Sequence, residues 1–292
     1  MGAGDTLRDA WDILRRARGP REVLDALVPG LAPARVLNEG SDPGLAVDAL
    51  IRALRDARNR LKGDVVGQVD YAALRKSEAF SELSRLSPGL VRITPGDLGD
   101  DRTKTAFFIN LYNVLAMHGV IALGIEHSVM EIPSFFSQVQ YCVGGVNLSL
   151  DQMENGVLRA NGKHPATGRR SLPADSPALA FCPAKVDPRI HAALVCASTS
   201  CPPVGFYDPE DVDRQLDLAT ENYVNNDVHV SEEGVSLPIT FRYYAADWGG
   251  RDGIERFLLT HADAPLREAL THAFARRAPW LYQRYDWSLN HI

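Results

Sequence analysis

The chain has 292 residues, 45% of them apolar and 23% charged, enough for a substantial core in one large domain or two modest ones. A formal net charge of −6 argues against a nucleic-acid surface, which needs clustered Lys and Arg. Four cysteines, Cys142, Cys182, Cys196 and Cys201, make no disulfide framework in a chain this long and point to a reducing, cytoplasmic setting. No apolar run reads as a membrane span, and the charged N-terminus lacks the apolar centre of a signal peptide.

From Thr6 to about Arg58 the pattern is helical. Trp11, Leu14, Val23, Leu24 and Leu27, then Val47, Leu50, Ile51 and Leu54, recur at three- and four-residue intervals, with Pro20, Pro29, Pro33 and Pro43 dividing the stretch. Gly2 and Thr6 also fit a myristoylation pattern. No chemistry-bearing group stands out here. Residues 1–63 are therefore expected to be a helical extension, dispensable for any site, on a domain spanning 64–292.

Val69-Asp70-Tyr71 leads into a Leu-rich helix, and another follows Asp97. Residues 104–123 then form the most apolar helix, carrying Asn110 and Asn113 three apart and so on one face. Asparagine is a poor helix former, and a buried amide needs several hydrogen bonds, so the pair implies a fixed polar task on a neighbouring segment. Gly144-Gly145 between two β-like runs marks a hairpin over 141–150. Ser149 with Gln152 forms a capping box for a helix that ends at Gly162 and carries Glu154 and Arg159.

Asp187 to Pro203, DPRIHAALVCASTSCPP, concentrates chemistry. Ile190, Ala192, Leu194 and Cys196 alternate with His191, Ala193 and Val195, the pattern of a strand covered on both faces. A histidine there must find a partner, because an unpaired buried polar group costs a few kcal/mol, roughly 1–3. Farther on, Asp208-Pro209 starts a helix through Tyr223, Val228 to Leu237 forms a hairpin turning at Glu232-Glu233-Gly234, and Asp247 sits among aromatics before Gly249-Gly250. A helical tail runs from Gly253 to about Arg277. The expected architecture is α+β, a small, mainly antiparallel sheet packed against several helices.

FINLYN (108–113), SLDQMENGVLR (149–159), the 187–203 segment, FRYYAADWG (241–249) and YDWSLN (285–290) together resemble an uncharacterised family, domain of unknown function 547. The resemblance implies kinship from about Val69 onward and brings no established activity. Many members carry His directly after the glutamate matched by Glu154, whereas this chain has Asn155.

The residues themselves suggest a thiol-dependent hydrolase or acyl transferase acting on a peptide or amide, with no cofactor and no metal. A neighbouring imidazolium gives a thiolate at neutral pH, and a third polar residue orients the ring. Strand alternation would place Cys196 opposite His191 and leave Cys201 as the reachable nucleophile. His191 is then the base, Asp247 or Glu154 its orienter, and Asn110 or Asn113 an oxyanion donor. Two alternatives use the same residues. Cys196 and Cys201 form a reversible disulfide or, with His191, a zinc site; or the polar groups serve a non-catalytic interaction module.

Overall fold

The computed structural model describes residues 33–62, 65 and 69–291. The expected helices from Trp11 to Leu27, the Gly2/Thr6 pattern and the boundary at Gly63 lie outside these residues. Near the start of the described residues lie β1 (Arg35–Val36), α1 (Val47–Leu61) and, after a single turn at Tyr71–Leu74, α2 (Glu78–Leu86). Ser77 caps α2 by accepting from the Phe80 amide.

Helix α1 is no detached extension. Leu50, Ala57 and Leu61 on its inner face are wholly buried in the same core as Phe80, Leu83 and Leu86 of α2. Its buried Arg58 donates to the Tyr207 carbonyl at 2.7 Å and pairs with Asp208, while Arg55 pairs with Asp208 and Glu210. Amphipathic spacing reveals that a helix has an apolar face but not what covers it, and here the rest of the domain covers it. Leu61→Ala is expected to cost about 2–3 kcal/mol in urea unfolding, the lower part of the range for a buried leucine. A change near zero would show α1 to be separable.

The core is built around α3 (Asp101–Leu123), capped by Asp100 and closed by Gly124 in the left-handed conformation. By length and composition this 23-residue helix could cross a membrane, contrary to the expectation that no run would qualify; 67% of its most apolar window is nevertheless buried inside the protein. Next come β2 (Val139–Val143) and β3 (Val146–Ser149), joined where Gly144 and Gly145 both take positive φ, as a two-residue hairpin turn demands. The β1 strand pairs with β2 in parallel, and β2 with β3 antiparallel.

Downstream, α4 (Val212–Asp227) precedes β4 (His229–Val230) and β5 (Val235–Leu237). Helix α4 begins at Val212, later than the Asp208-Pro209 signal, because the Asp208 carboxylate is engaged by Arg55 and Arg58. The tail divides into α5 (Arg251–His261) and α6 (Ala264–Ala275), since Asp263 caps a new helix ahead of Pro265. Last is β6 (Trp280–Tyr282), parallel to β5, which pairs antiparallel with β4.

The fold is thus α+β, as expected, but among the described residues the strands form two small mixed sheets where one mainly antiparallel sheet was expected. Each sheet gains a parallel edge from a distant segment, β1 or β6, that short-range hairpin signals cannot foresee. A second core gathers Leu237, Phe241, Trp248, Ile254, Leu258 and Leu270. The segment 187–203 runs between the two, with Ile190 and Ala193 in the first and Ala192 in the second.

Candidate functional site

The segment 187–203 is not a strand. Asp187 accepts from the Arg189 amide and Pro188 takes the first turn of a 3-10 helix over Pro188–Ala192. The Asp-Pro start signal outweighs the apolar alternation, and it removes the parity argument that set Cys196 and His191 on opposite faces. Arg189 fixes the turn by bonding Asp187, Asp213 and Asp217, the last two on α4.

His191 is buried, and its Nε2–H donates to Asp247 at 2.9 Å. Asp247 sits in a 3-10 turn over Ala245–Trp248 and also receives Arg159 bidentately, at 2.6 and 2.7 Å. Burial works against the Asp247 carboxylate, but hydrogen bonds from His191 and Arg159 hold its pKa below the usual value. The Tyr244 ring stacks on His191 at 4.2 Å and lies under the Arg159 guanidinium at 4.8 Å. The structure therefore brings Asp247 and His191 together, within a buried cluster that also holds Arg159.

Glu154 does not reach the histidine; it bonds the Tyr244 hydroxyl. Its backbone belongs to a π-helix, Gln152–Leu158, that follows the expected Ser149–Gln152 capping box. The Glu154 carbonyl accepts from Arg159 five residues on, and this wider turn presents Arg159 to Asp247. Asn155 bridges the Arg159 Nη1 at 2.6 Å and Asp151 at 3.0 Å, and Asp151 pairs with His164.

The asparagines are backbone staples. Asn113 donates to the Ala193 and Gly205 carbonyls at 3.0 and 3.3 Å and accepts from the Val195 amide at 2.9 Å. Asn110 bonds both the amide and the carbonyl of Tyr207. The fixed polar task is there, but both Asn113 N–H groups are consumed, so it offers no oxyanion donor. Asn113→Ala is expected to cost about 2–3 kcal/mol, since it strands buried backbone groups. Chemical denaturation checks this, and a loss under 1 kcal/mol (about the value of one hydrogen bond) would deny the staple.

Cys201 is in none of these contacts. Its sulfur lies 3.1 Å from that of Cys196, 3.2 Å from Ser198 Oγ and 3.3 Å from the Tyr285 hydroxyl, and it accepts the Cys196 amide at 3.1 Å. Both thiols are free and half-buried. Burial works against a Cys201 thiolate, but its hydrogen-bonding contacts with Cys196, Ser198 and Tyr285 bring its pKa down to about 6. The bond to Cys201, with burial, pushes the Cys196 thiol well up, and burial keeps the Tyr285 hydroxyl protonated. Hydroxyl, thiol and amide donors thus do for the sulfur what an imidazolium was expected to do. His191 and the thiols do not assemble into a zinc site; among the described residues no group of three or more His, Cys, Asp or Glu side chains is placed to hold a metal.

Buried Tyr112 lies within electrostatic reach of Glu154 and Tyr244 and of both sulfurs. Sequence reasoning missed Tyr112, Ser198 and Tyr285. Tyr112 lies inside FINLYN and Tyr285 inside YDWSLN, yet a tyrosine among apolar residues reads as core until its hydroxyl can be placed. Neither of two recesses, about 130 Å³ beside Ile93, Gly144 and Phe181 and about 320 Å³ on α6, contains any residue of these clusters.

Residues 97–224 match the family described as "Protein of unknown function, DUF547". That span holds Asn110, Asn113, Glu154, His191, Cys196 and Cys201, and leaves Asp247 and Tyr285 beyond its end. No curated protein and no solved structure gives a significant match to the chain.

Proposed function

We propose that this chain, whose residues 97–224 form a DUF547 domain, uses Cys196 and Cys201 as a thiol–disulfide redox couple. The carrying observation is the 3.1 Å separation of two free sulfurs. The two thiols are also unequal in the way a dithiol couple requires. Cys201 is the thiolate that attacks, and Cys196 keeps its proton until it resolves the intermediate. In the balanced step the Cys201 thiolate displaces one leaving group from an oxidised two-electron partner. Cys196 then displaces the second, leaving a Cys196–Cys201 disulfide and a partner reduced by two electrons.

A second reading keeps acyl transfer at Cys201, since a thiolate at about 6 also attacks a carbonyl. Its proton donor would be Tyr285, the hydroxyl touching the sulfur, instead of His191.

Titration with a redox buffer, followed by mass mapping of the 196–201 peptide, separates the two. The redox reading expects loss of two hydrogens on one peptide, reversed by dithiothreitol and abolished by Cys196→Ser. Persistent single adducts on Cys201, with no internal crosslink in the wild type, would favour acyl chemistry.

A further inference from the structure

We infer that the oxidant served by this pair is a small hydroperoxide, with the Tyr285 hydroxyl donating its proton to the departing oxygen. This rests on the redox reading and concerns what the pair reacts with.

The first observation is the strap across the thiol loop. The chain after β6 lies across the loop 196–201 and is bonded to it from both sides. The Thr199 amide donates to the Ser288 carbonyl at 2.7 Å, the Asn290 amide to Ala197 at 3.0 Å, and the Asp286 amide to Ser200 Oγ at 2.8 Å. The same segment is anchored elsewhere, by Ser128 Oγ to the Trp287 carbonyl at 2.7 Å and by the Val69 amide to Asn290 at 2.8 Å. A disulfide must bring three sulfurs into line with a substituent at each end, which a strap bonded across the loop hinders. A hydroperoxide needs room for two oxygens.

The second observation is the ring of hydroxyls. Ser198, fully buried, donates to the Tyr285 oxygen at 2.9 Å, so the Tyr285 proton is left to point at sulfur. A leaving alkoxide or hydroxide is a far poorer leaving group than a thiolate and requires that proton.

The steps balance. The Cys201 thiolate attacks the terminal oxygen of HO–OR; the S–O bond forms as the O–O bond breaks, giving Cys201–SOH and RO⁻. Tyr285 protonates RO⁻ to ROH and regains its proton from solvent. The Cys196 sulfur then attacks Cys201–SOH, 3.1 Å away in the resting pair, forming the disulfide and releasing water. The hydroperoxide has gained the two electrons that the dithiol lost. Two equivalents of an external thiol return the pair to its reduced state more slowly, past the same strap, and become one disulfide.

The test compares hydrogen peroxide with glutathione disulfide at equal concentration on the fully reduced chain, reading the Cys196–Cys201 crosslink by mass. Peroxide is expected to close it about tenfold faster or more. In Tyr285→Phe, the peroxide rate on its high-pH plateau is expected to drop about 100-fold, the scale of general acid catalysis, while plateau alkylation by iodoacetamide stays within about twofold. Faster closure by glutathione disulfide overturns the inference, and so does a wild-type peroxide plateau in Tyr285→Phe. If neither oxidant produces the crosslink, the redox reading itself has failed. The oxidant comparison uses only wild-type protein and stands even if the variant does not fold.

Discussion

Asp247→Ala is expected to destabilise the domain by about 3–5 kcal/mol, a large part of the total stability of an ordinary domain. The carboxylate serves two buried donors at once, Arg159 and His191. Side-chain exposures are 6% for Asp247, 3% for Arg159 and 2% for His191, so neither partner can turn to water when it goes. An uncompensated buried guanidinium is the costly species, and that identifies the controls. His191→Ala leaves the two bonds from Arg159 to Asp247 in place and should cost less, about 1–3 kcal/mol. Adding Arg159→Met to Asp247→Ala removes the stranded charge and should recover part of the loss, as when a buried ion pair is replaced whole. Equal destabilisation by the single and double variants in urea would show that lost volume, not charge, sets the effect. Acid provides an independent check. With its pKa below the usual 3.8, the carboxylate contributes stability that is complete above that value and fades as pH falls through the lower folded one. The Asp247→Ala variant should accordingly show a shallower loss of stability below about pH 4.

What the sequence disclosed was local. The double-glycine turn, the Ser149–Gln152 box and the apolar helix around Asn110 and Asn113 each depend on residues within a few positions, and each formed where expected. The helical tail split because one aspartate before a proline is a start signal as well as a break. The site was legible as a set of residues but not as a set of pairs. Asp247 with His191 emerged because a buried imidazole beside a carboxylate has few other solutions. Cys201 with His191 did not, because that pairing assumed a strand, and the Asp187-Pro188 turn replaced it. The groups that do surround the sulfur come from residue 285 and from the loop itself, and no periodicity connects positions 84 to 89 residues apart.

The reactivity of Cys201 should consequently depend on pH with a midpoint of about 6 and be indifferent to His191. Near neutral pH the advantage over an ordinary thiol is modest. At about pH 7 roughly nine-tenths of Cys201 is thiolate against roughly one-hundredth of a thiol with pKa 9.0, a ratio of about 90. Nucleophilicity falls with basicity, however, and over about three pKa units takes back a factor of about 15–30. A net advantage of only about three- to sixfold remains. Acid separates the two cases. At about pH 5 the thiolate ratio grows to about 900, and after the same correction Cys201 should outpace an unperturbed cysteine by about 30- to 60-fold. Iodoacetamide alkylation, followed by mass on the 196–201 peptide from pH 4.5 to 9, reads this directly. Replacing Cys196 with Ala or Tyr285 with Phe removes a donor from the sulfur, so each should move the midpoint upward. His191→Ala removes nothing that touches it and should leave the profile unchanged. A midpoint near 9 in the wild type would mean that the hydroxyl and amide donors do not hold a thiolate. A rise in the midpoint on His191→Ala would restore the histidine as the activating base.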